Sequence, residues 1–380
     1  MIRHLILLAL ALILSACQDS TAPQLHTRDT IPARLSDWQI VQVNDQQLVL
    51  NPAVLPYDLA TPLFSDYALK LRTLWLPDGA TAKLTDTGSL DFPVGTVISK
   101  TFYYPRARDA ADAADVQQTE QRRVAFDGAS LALDQVRLIE TRLLVHQTDG
   151  WQALPYVWND EQTDATLQIT GAVKRLRLHS SEDSDAEVES FAYVVPNRNE
   201  CAACHNLDQN QDTLSPIGPS VANLNHELTA DGSGQNQLTS LWSRRWLAEE
   251  PAVDELPESA VWQPGATDSL EHRARSYLDV NCGHCHQPGG SGDTSGLFLH
   301  TGATLPLELG VCKPPVAAGR GSGGRPYSIV PGRPEHSILS FRIESSEVGV
   351  LMPEVGRSLT HNAGLMLINE WILNQAGRCS

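Results

Sequence analysis

The string Cys-x-x-Cys-His occurs twice in this chain, as Cys201-Ala202-Ala203-Cys204-His205 and as Cys282-Gly283-His284-Cys285-His286. With seven cysteines and twelve histidines in 380 residues, random order would give about 0.004 such strings, so composition does not account for two. Offsets of three and four residues place both thiols and the imidazole on one face of a helical turn. That arrangement suits a haem fastened through two thioethers, with a histidine beneath its iron. The expectation is therefore two covalently attached haem c groups. Cys201, Cys204 and His205 would hold the first, Cys282, Cys285 and His286 the second, with His205 and His286 as proximal iron ligands.

Two other chemistries use the same residue types. Cys-x-x-Cys pairs build structural zinc sites with four ligands, although these two pairs lie far apart for a compact ribbon. Cys282-Gly283-His284-Cys285 also resembles the active-site string of protein disulfide isomerases, which follows a strand and opens a long helix. Here it follows a predicted helix over 268–279, and a Pro288-Gly289-Gly290 turn comes just after His286.

The first residues, Met1-Ile2-Arg3-His4, lead into an apolar run ending Leu14-Ser15-Ala16-Cys17, with the charged, apolar and small-residue zones of an export signal. The Leu-Ser-Ala-Cys ending resembles the lipobox of bacterial lipoproteins. That resemblance implies lipidation of Cys17 and membrane attachment through the lipid, and Gln18 resembles the outer-membrane sorting class. An ordinary cleaved signal with an incidental Cys17 is the alternative. Nothing else in the sequence is long and apolar enough to span a bilayer. The formal charge of −17 argues against nucleic acid and favours basic partners, with association weakened by salt. Once Cys17 and the four motif thiols are assigned, Cys312 and Cys379 remain, and in an oxidising compartment they are expected to pair.

Five segments follow from these signals: a lipoprotein signal peptide over 1–16, a polar tether over 17–32, a β-rich domain over 33–196, a first haem-binding segment over 197–262, and a final domain over 263–380. The β-rich part is predicted from short β-branched and aromatic runs at Trp38 to Val43, Leu69 to Leu76, Thr96 to Tyr104, Leu138 to His146 and Phe191 to Val195. An antiparallel sandwich is the natural packing for them. Residues 106–121 are expected to form an exposed loop or short helix, and Asp183 to Glu189 a solvated acidic loop. Asp66, Lys70, Arg72 and Trp158 are candidates to line a site in the β-rich part, or else surface and core residues. Helical periodicity takes over after Pro196. It recurs over 236–247, over 268–279 with a capping box Asp268-Ser-Leu-Glu271, and at Leu365, Ile368, Trp371 and Ile372. The fold class expected is a multidomain chain, mainly β and then mainly α.

Two methionines remain after signal cleavage, Met352 and Met366. Met352, in Leu351-Met352-Pro353, is the expected distal ligand of the second haem, because a thioether sulfur suits the iron of a cytochrome. Met366, within a predicted helix, is assigned to the core. His286 should donate its other ring nitrogen to a carbonyl of the Pro288 to Gly290 turn, and His284 is expected to be exposed. For the first haem no methionine lies nearby in sequence. His226, His272 and an iron coordinated by His205 alone all remain open.

The order motif, variable loop, Met-Pro and terminal helix resembles a class I cytochrome c domain over about Thr267 to Ser380. Taken together, Pro62 to Tyr67, Phe92 to Phe102, Glu140 to Leu144, Gly150 to Tyr156, both haem motifs and Gly349 to Gly356 resemble an uncharacterised family of exported bacterial proteins. Its members carry Cys-x-x-Cys-His motifs and are often encoded beside a parallel β-helix repeat protein. The resemblance adds no established activity. The two haem motifs, the export signal and the lipobox together lead to the expectation of a periplasm-facing, lipid-anchored dihaem cytochrome passing electrons in the bacterial cell envelope, with other redox proteins, an oxidoreductase or a β-helix envelope protein as partners. Two alternatives stand beside electron transfer. One is a peroxidase-like dihaem oxidoreductase with an open first haem. The other is an envelope interaction protein with structural or sensory haem.

Overall fold

The computed structural model describes residues 22–108, 110, 112–180, 187–227, 234–263, 265–316 and 318–380. The signal segment 1–16, Cys17 and residues 183–186 of the acidic stretch lie outside the described residues. The strands are β1 (Val41–Asn44), β2 (Gln47–Leu50), β3 (Leu55–Tyr57), β4 (Leu69–Trp75), β5 (Lys83–Leu84), β6 (Leu90–Asp91), β7 (Val97–Pro105), β8 (Asp115–Gln117), β9 (Ser130–Ala132), β10 (Val136–Gln147), β11 (Gly150–Trp158), β12 (Ala165–Leu167), β13 (Ala172–His179) and β14 (Val188–Val195). After them come the helices α1 (Arg198–His205), α2 (Val221–Leu224), α3 (Gln237–Ser243), α4 (Leu270–Leu278), α5 (Ile338–Glu344) and α6 (Asn362–Leu373).

An antiparallel six-stranded sheet in the order β12-β11-β10-β7-β4-β3 is the platform for everything else. Successive side chains on a strand point to opposite faces, and β7 shows the result. Val97 and Tyr103 enter one core with Leu71, Leu143, Leu154 and Tyr156, covered by Val41, Leu48, Leu50 and Leu131 of the β1-β2-β9 sheet. Buried hydroxyls on the same face pair across strands, Thr73 with Ser99 at 2.6 Å and Thr101 with Thr141 at 2.8 Å. The opposite face has two covers. Leu74 and Ile98 pack under Val221, Leu224, Leu238 and Leu241 of α2 and α3, while Phe102 and Tyr104 pack under Leu176, Leu178, Phe191 and Tyr193 of β13 and β14.

Between these covers the register sets two rows across β4, β7 and β10: the cations Arg72, Lys100 and Arg142, then Lys70 and Glu140 on either side of Phe102. The helix α1 leaves the end of β14 and packs against β11 on this side.

Several expectations change in contact with the fold. Residues 106–121 are not simply a loop or helix: they contain β8, which runs parallel to β13 and fully buries Val116. Trp38 belongs to a 3₁₀ turn, Leu35–Trp38, rather than a strand. Residues 22–32 are no free tether, because Gln147 donates to the His26 carbonyl at 2.8 Å and the Tyr156 hydroxyl to that of Pro32 at 2.9 Å. The segment 197–262 is not self-contained either, since α2 and α3 complete a core of the β-rich part.

In the last part α4, α5 and α6 enclose a core of Tyr277, Leu278, Leu339, Ile343, Ile368 and Trp371. The helices are short and the segments between them long, so this part is not mainly α. Glycine and proline recur through residues 313–334 and cannot sustain a helix there. The cap of α4 is Ser269, accepting from the His272 N–H, rather than Asp268. Met366 is 62% exposed and not a core residue. Cys312 and Cys379 form a disulfide with a Cα–Cα distance of 5.2 Å. Among the described residues no helix is long and apolar enough to cross a membrane.

Candidate functional site

The first motif is set by its cap. Asn197 accepts from the N–H groups of Asn199 and Glu200, and Glu200 returns a bond to the Asn197 N–H, so both open donors of the first turn are satisfied. One turn later Cys201 is buried and Cys204 half-buried. His205 follows, and its Nδ1 donates to the Ser215 carbonyl at 2.8 Å. That bond assigns the tautomer and leaves Nε2 with the lone pair. Burial, partly offset by the Ser215 carbonyl, pushes His205 down to about 4, so the ring is neutral near pH 7.

The second motif leaves α4 through a π-helical turn, Asp279–Gly283. Burial pushes Cys282 up to about 12. The chain then doubles back around His286. A side chain at Gly290 would meet the Cys285 carbonyl oxygen at 2.3 Å, and one at Gly292 the His286 ring at 3.0 Å, so this wrap needs glycine. His286 Nδ1 donates to the Leu297 carbonyl at 3.2 Å. The acceptor is thus Leu297 rather than the Pro288 to Gly290 turn, but the outcome for the ring is the same as at His205. Burial lowers the pKa of His286 as well.

In front of His286 lies a cavity of about 350 Å³, within the size range of cofactor sites. Cys282, Cys285 and His286 border it, Leu297, Leu299 and Ile338 supply apolar wall, and Met352 lies in the wall too. The Met352 segment is pinned by its backbone. Its N–H donates to the Arg342 carbonyl at 2.9 Å, and Arg357 donates to the Met352 carbonyl and to those of Arg342, Ile343, Ser345 and Leu359. Met352, far along the chain from either motif, is therefore held in one cavity wall with Cys204, Cys282 and Cys285 by a single buried guanidinium.

The two motifs also meet each other. Ala203 and Cys204 border the same cavity, Gln209 N–H donates to the Gly289 carbonyl at 2.8 Å, and the Cys285 thiol approaches the Ala203 carbonyl at 3.8 Å. Ligand atoms of Cys204, His284 and Cys285 all lie within 4.8 Å of one another. A hydrogen bond from Cys204, with His284 beside it, lowers the Cys285 pKa, whereas Cys204 keeps its proton. His284, expected to be exposed, is buried, and its Nδ1 has no hydrogen-bond partner. Nothing in its spacing distinguishes it from an exposed motif residue; in the fold it lies beside Cys204 of the other motif.

His226 and His272 are engaged elsewhere. His226 has Nδ1 2.9 Å from the Glu227 carbonyl and Nε2 2.9 Å from the Gln237 side chain. His272 has Nε2 3.0 Å from the Glu258 carbonyl and Nδ1 3.2 Å from Asp268. The groups that act electrostatically on His205 are instead Lys100, Arg142 and His284, and sequence reasoning missed the first two.

Of the four candidates in the β-rich part, Lys70 and Arg72 border a smaller cavity of about 90 Å³ with Asp58, Phe64, Trp262 and His361. Asp66 accepts from the N–H groups of Ser358 and Leu359 at 2.7 and 2.8 Å. Trp158 faces the opposite core and donates to Thr141. Compared with protein-family models, curated proteins and solved structures, the chain matches none.

Proposed function

We propose that the chain is an exported dihaem c-type cytochrome, anchored by lipid at Cys17 and carrying electrons in the bacterial envelope. The observation that supports this most strongly is the matched state of two histidines. His205 and His286 each follow a Cys-x-x-Cys pair, each commits Nδ1–H to a backbone carbonyl, and each keeps Nε2 as a lone-pair donor. A ring so fixed is oriented and made more basic for a metal. Haem, when bound, supplies the one-electron redox change; the chain contributes thioether attachment, axial ligation and exclusion of water. In this reading Cys282, Cys285, His286 and Met352 hold the second haem in the apolar cavity they border. Residues 263–380 then form a class I cytochrome c-like domain, and the sheets before it a sandwich-like platform. The contact between the motifs favours electron exchange between the two haems, and the resemblance to a family of exported proteins often encoded beside a parallel β-helix repeat protein supports the envelope setting.

One observation favours a second reading. Cys204, His284 and Cys285 offer two sulfurs and a nitrogen to a soft metal such as zinc. A pyridine haemochrome assay with intact mass, on protein made alongside haem-attachment machinery, separates the two. Two haems per chain are expected, and a haem-free chain carrying one zinc would overturn the cytochrome reading.

A further inference from the structure

Three cations stand directly opposite one another on adjacent strands, Arg72 on β4, Lys100 on β7 and Arg142 on β10. Like charges facing across strands repel, and burial removes the water that would screen them, so an uncompensated row of this kind is costly. The neighbouring carboxylates make direct ion pairs only at its two ends. Asp58 lies 3.4 Å from Arg72, and Glu140 takes Arg142 in a fork at 2.8 and 2.5 Å while also accepting from the Tyr193 hydroxyl. Lys100, in the middle, makes no ion pair within 4.0 Å among the described residues and feels Glu140 only at longer range; its contact is with the Phe102 ring, 5.9 Å from the ring centroid.

The row belongs to the face of the sheet on which α1 packs, and the electrostatics tie it to the first motif. Lys100 acts on Cys204 and His205, and Arg142 on Cys201 and His205. Arg142, although enclosed by protein, keeps 27% of its side-chain surface accessible. Lys100 is likewise only partly covered, so both cations keep some accessible surface.

We propose that Lys100 and Arg142 form a carboxylate cradle that receives a propionate of the haem attached at Cys201 and Cys204. The inference rests on the haem reading of that motif and adds what the motif alone does not give, the part of the sheet that orients the porphyrin edge. A haem carries its two carboxylates on one edge, so an ammonium without an ion pair, beside an arginine whose Nη1 is not engaged by Glu140, offers charge-assisted hydrogen bonds to that edge. It also leaves net positive charge near the iron, which favours the reduced state.

The test uses full-length holoprotein with Lys100→Met and Lys100→Arg, after a haemochrome count for each. Redox titration and the propionate bending mode in resonance Raman spectra are then read for each haem. In Lys100→Met the first haem's potential falls and its propionate mode shifts, with the second haem unmoved; Lys100→Arg restores both. Two haems with an unchanged mode and potential in Lys100→Met would sink the cradle alone. A wild-type chain with haem at the second motif only would sink the first-motif reading and the cradle together.

Discussion

Single side chains decide what the second motif can do. Met352 faces the same cavity as His286, and a thioether ligand raises the potential of a haem iron. Replacing Met352 by Ala is expected to lower the potential of one haem and abolish the sulfur-to-iron absorption band, and an unchanged spectrum would remove Met352 from the iron. Its place beside the second motif was legible in the sequence because Met-Pro in an irregular stretch before a terminal helix is an uncommon combination. Lys100 and Arg142 were not, since a charged residue in a strand ordinarily faces water. Only the register, which sets them opposite each other under α1, gives them a shared role. His284 was misjudged for the same reason: in the fold it lies beside a helix some eighty residues earlier.

At the level of elements, the segment Pro62 to Tyr67 fastens the sheets to the last part of the chain. Phe64 N–H donates to Asn281 at 2.9 Å, next to Cys282, and the Phe64 ring stacks on His361 with centroids 4.2 Å apart. The Tyr67 hydroxyl donates to the Thr360 carbonyl, and Asp66 takes two N–H groups from Ser358 and Leu359. Burial pushes Asp66 up to about 6 in spite of those donors. A carboxyl whose folded pKa is raised contributes stability that is complete below its unfolded value, near 3.9, and lost as pH rises through 6. Asp66→Asn keeps an acceptor for both N–H groups, so its advantage over wild type should be near zero at pH 4 and grow to about 3 kcal/mol at pH 7. Denaturant melts of the two proteins at pH 4, 5, 6 and 7 test this; curves that stay parallel would show that Asp66 does not titrate across the join. The strands themselves were largely legible from β-branched and aromatic runs, β4, β7, β10 and β14 among them. The exception, β8, is three residues long in an alanine- and charge-rich stretch, too short to show a period. The helix at Leu365 to Ile372 was legible and α5 was not, and the helical share of the last part was overestimated because apolar spacing says nothing about how much irregular chain lies between helices.

For the whole molecule, closure of the end of the chain depends on the Cys312–Cys379 bond, which spans 67 residues. The loop it closes contains α5, the Met352 segment and α6. By loop-closure entropy the paired change Cys312→Ser with Cys379→Ser should cost roughly 4 kcal/mol, read as a lowered denaturant midpoint that reductant lowers no further. A midpoint unchanged from wild type would mean the bond constrains little of the unfolded chain. The contact between Cys204 and Cys285 bears on how such a chain is made. In the oxidising compartment proposed for it, a haem-free chain that reached this fold would hold two thiols from different motifs side by side, poised to crosslink wrongly. Biogenesis is then a race, won when each pair of thiols is committed to its own porphyrin before the sheets and the terminal helices bring the motifs together.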